Sequence, residues 1–196
     1  MPYSRDEVEA AFRHYFMVGP VMEDWVAWSQ LFTEDAVYTD HFWGTFDGPA
    51  EIQRWIEGTM VTAPHVYTVL DWYVVDGARV VYRALNRADN PAPGGPAFDF
   101  PSFQIVTYAG GGKWQAEEDI WLPFESKAWA DAYLAACAEH DPDFPATRSR
   151  LDWGTVDWAR PEPGHEARPS WLGRDDIRAL RSRRDVDFGR HARARI

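Results

Sequence analysis

The chain of 196 residues has one cysteine, Cys137. A lone thiol cannot form an internal disulfide or a cysteine-based metal site, and it fits a reducing compartment. No run of about 18 apolar residues occurs, so no transmembrane helix is expected. The opening MPYSRDEVEA has no signal-peptide core, and the chain reads as soluble and cytoplasmic. Phosphate loops of the GxGxxG and GxxxxGKS/T types are missing, since Gly110-Gly111-Gly112 has neither the lysine nor a following helix. There is no HExxH, the six histidines are scattered, and no serine sits in a GxSxG elbow. Neither a metal nor a cofactor is expected, and no internal repeat is visible.

Positive charge is scarce over most of the chain. The net charge is −11, but from Gly173 onward eight Arg face four Asp, a balance of +4 that leaves −15 on residues 1–172. An acidic body repels nucleic acid and anionic lipid, which excludes them as partners of the main domain. The arginine-rich end reads either as a solvated tail or as a contact for an acidic surface, most simply that of a sister subunit.

Aromatic residues are plentiful, with eleven Trp, and apolar residues reach 45%. That composition argues for a packed core and suits a flat-ligand pocket or an interface. Ser4-Arg5-Asp6-Glu7 has the form of a capping box. After it Val8, Ala11, Phe12 and Tyr15 fall on one face of a helix expected to end near Gly19-Pro20. A second helix is expected over Asp24–Phe32, a strand over Ala36–Phe42, a tight Asp47-Gly48 turn, and a third helix opened by Pro49 with Ile52, Trp55 and Ile56 inward. Strands follow at Val66–Val75 and Arg79–Arg87, joined by the hairpin signal Asp76-Gly77. Two more, Ser102–Tyr108 and Lys113–Leu122, are joined through the glycine run, and Ser126 caps a helix over Lys127–Glu139. Helices first and strands after predict an α+β fold with a mostly antiparallel sheet. Asp141–Leu172 holds five prolines and three tryptophans (Trp153, Trp158, Trp171), and reads as an extended arm packed on a surface. The expected division is a domain over residues 1–140 and an arm with its tail over 141–196.

Chemistry concentrates on two strands. Asp40-His41 lies on a strand otherwise built of Val, Tyr, Thr, Phe and Trp, where an acid is rare unless it lines a pocket. Alternation then turns His41 outward if Asp40 faces in. Glu117, Asp119 and Trp121 alternate and share one face of the last strand; a shift of one residue would turn Glu118 and Ala116 inward instead.

The segments LFTEDAVYTD, FDGPAEIQRWI and GGKWQAEEDIW resemble the SnoaL-like and ketosteroid-isomerase-like proteins of the nuclear transport factor 2-like superfamily, over about residues 5–124. The resemblance implies a cone of three N-terminal helices on a curved sheet, with a small-molecule pocket inside. It also implies that Asp40 shuttles a proton next to a carbonyl, with Tyr15 on the first helix as polarising donor. The position at which such isomerases carry a protonated acid falls on Gln104, which donates but has no tunable proton. His65 matches a histidine of related dehydratases, whose partner acid is missing near Val18-Gly19-Pro20; a pairing with Asp40 or Asp119 would replace it. Trp43, Trp55, Gln104, Glu117 and Trp121 are the expected substrate contacts.

Two functions follow from these residues. One is a cofactor-free isomerase, cyclase or dehydratase acting on a hydrophobic carbonyl compound, with Asp40 or Asp119 as base and His65 or Tyr15 as donor. The other is a non-catalytic module holding an apolar ligand or a protein in the same cone. A homodimer is expected through the outer sheet face, which carries Ile120, with the Trp153–Trp171 arm lying across the sister subunit.

Overall fold

A computed structural model describes residues 3–186. Its strands are β1 (Phe32–Asp40), β2 (Gly44–Asp47), β3 (Tyr67–Asp76), β4 (Arg79–Ala88), β5 (Phe98–Gly110) and β6 (Lys113–Trp121). They form one six-stranded sheet in the order β2-β1-β6-β5-β4-β3. Every pairing is antiparallel except β1 with β6, which run parallel. Helices α1 (Arg5–Phe16), α2 (Trp25–Ser29) and α3 (Gly48–Met60) pack on the concave face of this curved sheet, and α4 (Pro123–His140) follows β6. The expected α+β cone is therefore the observed one.

Local chemistry explains these elements. Ser4 caps α1 by accepting the Glu7 N–H at 3.1 Å, with Asp6 and Glu7 in the favourable first turn. The helical run ends near Gly19-Pro20 as expected, but its last stretch, Met17–Val21, is a π-helical turn. Proline ends an α-helix because its ring displaces an i−4 bond, and the wider turn relieves that clash. The second helix is shorter than expected and β1 begins at Phe32. The Trp114 N–H bonds to the Leu31 carbonyl at 2.8 Å, and this draws the chain into the sheet early. The four-residue β2, not expected from the sequence, pairs back on β1 from Asp40↔Gly44 to Val37↔Asp47. Gly48 opens α3 at φ +71°, and a Cβ there would stand 2.9 Å from the Glu34 carbonyl oxygen.

β5 starts at Phe98, earlier than expected, and so includes Pro101. Pro101 pairs with Leu85 of β4, but β6 joins β5 only from Ser102↔Trp121, so the missing N–H leaves no ladder bond open on that side. α4 begins at Pro123 rather than after Ser126, with the proline in the first turn, where its missing N–H costs nothing.

The arm corrects one expectation. Apart from the short helix α5 (Phe144–Thr147) and a 3-10 turn at Arg183–Val186, residues 141–186 lack regular structure, yet they dock on their own cone, where a sister subunit was the expected surface. Trp158 stands edge-on to Phe12 and Phe16, each 6.0 Å away between ring centroids. Trp171 and Leu180 are buried in the main core. Leu180 alone contributes about 1.5–3 kcal/mol by leaving water. Its N–H donates to the Gly58 carbonyl at 2.8 Å, and a Cβ on Gly58 would meet Leu180 Cγ at 2.7 Å.

Buried charges fasten the arm as well. Arg150 Nη2 reaches both oxygens of Glu23 at 3.0 and 2.8 Å, and Glu23 is 1% exposed. Buried Glu57 accepts from Ser170 Oγ at 2.7 Å and Arg174 Nη1 at 3.2 Å. Of the arginine-rich end, Arg190, Arg193 and Arg195 lie outside the described residues.

Candidate active site

The strand register gathers the acids. Parallel pairing of β1 with β6 sets Asp40 beside Asp119 and Tyr38 beside Glu117. On β5, Gln104 stands opposite Asp119, and on β4 Tyr82 stands opposite Gln104. One row across the concave face therefore reads Asp40, Asp119, Gln104, Tyr82. α1 lies over it and lowers Tyr15 into the sheet.

Asp40 ends β1 and shapes the turn into β2. Its Oδ1 accepts the Phe42 and Trp43 backbone N–H groups at 2.7 and 2.6 Å, and its Oδ2 accepts Trp121 Nε1 at 2.9 Å. Asp40 is 2% exposed. Burial raises its pKa above the ordinary aspartate value, and the three donors oppose that rise. Hydrogen bonds of this kind favour the anion.

Asp119 is half-buried and has different partners. Gln104 Nε2 donates to its Oδ1 at 3.1 Å and Tyr38 Oη to its Oδ2 at 3.3 Å. Burial pushes its pKa up to about 8, and the neighbouring Asp40 charge adds to the shift. Near neutral pH Asp119 is mostly a carboxylic acid, a donor beside Asp40. Gln104 Nε2 also donates to Ser102 Oγ at 2.7 Å, while its Oε1 is buried with no partner among the described residues.

Deeper in the cone Glu117, 3% exposed, is held by tyrosines. Tyr15 donates to its Oε2 at 2.5 Å, Tyr82 approaches Oε1 at 3.4 Å, and the two phenol oxygens are 3.3 Å apart. Burial first, and then the charge of Asp119, push the Glu117 pKa up to about 8. Burial also lifts Tyr15, Tyr38 and Tyr82 well above the ordinary phenol value, so all three remain donors.

The remaining expected residues are placed as follows. Tyr15 points at Glu117, not at an open position. Trp55 is a core residue, 4.5 Å from Tyr38 and 4.9 Å from Phe46 between ring centroids. Trp43 is half-buried beside Phe42, whose ring is 5.1 Å from that of Trp121. His41 faces outward and pairs with Glu118 at 2.6 Å. His65 is not brought to the acids. Its ring stacks on Tyr133 at 4.7 Å and on Trp129 at 6.0 Å, because the α4 aromatics reach back over the start of β3. The expected pairing of His65 with Asp40 or Asp119 is not made.

Sequence reasoning missed Tyr38 and Tyr82. Tyr38 was findable, since it lies two residues before Asp40 on the same strand face. Tyr82 emerges only once the β4–β5 register is known. Among the described residues no group of three or more His, Cys, Asp or Glu could hold a metal ion, and no helix is long and apolar enough to cross a membrane.

Residues 21–117 match the family model of the SnoaL-like domain. The chain carries a SnoaL-like domain. No curated protein matches it in sequence. Among solved structures it is similar to a proposed SnoaL-like polyketide cyclase from Jannaschia sp. CCS1, at 17% identity and a TM-score of 0.52, covering 67% of this chain and 96% of that one. It is also similar to TerC co-crystallised with polyporic acid, at 14% identity and a TM-score of 0.51, covering 64% and 98%. An NTF2-like protein of unknown function from Burkholderia pseudomallei K96243 gives 16% identity and a TM-score of 0.50, covering 63% and 96%. These likenesses establish the fold. About two thirds of this chain spans nearly the whole of each neighbour.

Proposed function

We propose that this protein is a cofactor-independent acid–base enzyme acting next to a carbonyl in a hydrophobic small molecule. The observation that carries the reading is the register pairing of Asp40, held by three donors, with Asp119, held by Gln104 and Tyr38, and the raised pKa of Asp119 supports it. Burial raises both carboxyls, but the three donors on Asp40 oppose its rise while the charge of Asp40 adds to that of Asp119, and two carboxyls set apart in this way supply a base and an acid at one pH. Asp40 takes the proton from the carbon beside the carbonyl. Asp119 donates to the carbonyl oxygen as negative charge develops there, with the Gln104 amide beside it. Returning the proton to another carbon completes an isomerisation, attack of the enolate on a second carbonyl a cyclisation, and loss of a β-hydroxyl a dehydration. The neutral acid that the isomerase resemblance places at Gln104 is thus supplied one strand over, by its register partner Asp119. Glu117 with Tyr15 and Tyr82 forms a sealed network below the acid pair that positions it.

TerC with its polyporic acid is consistent with a ring-bearing ligand for this fold. A homodimer belongs to the same reading. Trp72, Arg83, Phe103 and Ile120 pair in one row across the outer sheet face, and Trp72, Phe103 and Ile120 are exposed.

Deuterium exchange at the methyl carbon of acetophenone, followed by NMR, tests the chemistry without knowing the substrate. Asp40→Asn should slow enzyme-dependent exchange on the order of a hundredfold. Exchange above about a tenth of wild type would remove Asp40 as base, and a wild type without exchange would favour the non-catalytic ligand-holding module.

A further inference from the structure

Beyond the acid pair, β5 continues past the cone as a second surface. Phe98, Phe100, Ser102 and Gln104 alternate on its concave face, so the first two extend outward the face that carries Gln104. α4 runs alongside this extension. Between them lies a cleft of about 510 Å³, walled by Phe98, Phe100, Pro101, Ala128 and Trp129. A volume of this order suits a small organic ligand.

Aromatic rings in contact link the cleft wall to the acids. Phe100 is 5.1 Å from Trp129 on one side and 6.3 Å from Trp121 on the other, between ring centroids. Trp121 in turn donates to Asp40. Phe100 is thus both a wall of the cleft and a neighbour of the ring that donates to Asp40.

Polar groups at the rim restrict its chemistry. Asp99 is neutralised by Arg87, whose Nε and Nη2 each donate to it at 2.7 Å. Asn90 is occupied by the Pro96 carbonyl and the Ala92 N–H, both at 2.9 Å. The Glu125 carboxylate has no hydrogen bond or ion pair among the described residues. Among the described residues no free cation lines the cleft, so an anion gains nothing there, whereas a hydroxyl or amine finds an acceptor at Glu125.

We propose that this cleft is the outer half of the substrate site, and that it takes a flat, multi-ring, non-anionic body bearing a hydroxyl or amine toward Glu125. Its reactive end enters past Trp121 toward Asp40 and Asp119. The inference rests on the acid–base reading only for which end reacts.

The test is a binding titration that needs no turnover. Ala128 is exposed on α4, so Ala128→Phe fills the cleft without disturbing the core. A neutral hydroxyanthraquinone should quench tryptophan fluorescence saturably in the wild type. Ala128→Phe should weaken that binding about tenfold or more, and a sulfonated anthraquinone should bind wild type more weakly than the neutral probe. Equal affinity for the hydroxyanthraquinone in wild type and Ala128→Phe, or absence of saturable quenching, would overturn the proposal. Cleft-dependent quenching without any acetophenone exchange would support the cleft and count against the acid–base reading alone.

Discussion

Replacing Glu117 by Gln should make the protein more stable, and increasingly so as the pH rises. Glu117 is 3% exposed, and its pKa rises from an ordinary 4.5 to about 8, chiefly by burial. A carboxyl with a raised folded-state pKa holds its proton in the native state after the unfolded chain has lost it. Stability therefore falls as pH rises from the unfolded value toward the folded one, and levels off above it. Between pH 5 and pH 9 the loss should amount to about 4 kcal/mol, because each tenfold difference in proton affinity between the folded and unfolded chain is worth about 1.4 kcal/mol. Gln keeps an acceptor for Tyr15 and cannot ionise, so the variant escapes that loss. Urea midpoints of both proteins from pH 5 to pH 9 give the assay, with the difference between them as readout. Stability profiles that run parallel across this range would show that Glu117 is not a buried neutral acid, and the argument for the tyrosine network would fail.

Arg150→Met should cost about 3–5 kcal/mol by stranding the Glu23 charge in the core, and pairing it with Glu23→Gln should restore much of that loss; denaturant midpoints of the three variants decide this. Gly58→Val should release the 177–186 segment from α3, seen as faster proteolysis there with the sheet intact by circular dichroism; unchanged proteolysis would contradict the docked arm. Phe103→Lys combined with Ile120→Lys should convert a dimer into a folded monomer in sedimentation, and a wild type that is already monomeric at micromolar concentration would refute the dimer.

Much of the cone could be read from sequence because its signals are local. The Ser4 cap, Pro49 at the start of α3 and the Asp76-Gly77 hairpin each fix their element through backbone chemistry, and the alternation of Glu117 with Asp119 sets both on the concave face. What was missed depends on distant partners. β2 is four residues long and exists because β1 offers it an edge. The apolar content of the arm predicted that it would be covered but carried no information on whose surface covers it. Asp119 could be named from sequence, but the division of labour with Asp40 follows from the parallel β1–β6 register and the three donors on Asp40. His65 was drawn away by Trp129 and Tyr133, on a helix that sequence placed with no relation to the start of β3.

The central claim is that Asp40 and Asp119 share one site in different protonation states. Carbon-13 NMR of aspartate-labelled protein, with the two signals assigned through Asp40→Asn and Asp119→Asn, tests it directly. The Asp119 carboxyl should titrate near pH 8, with Asp40 ionised at lower pH. An Asp119 signal that titrates near pH 4, as an ordinary exposed aspartate does, would contradict the account.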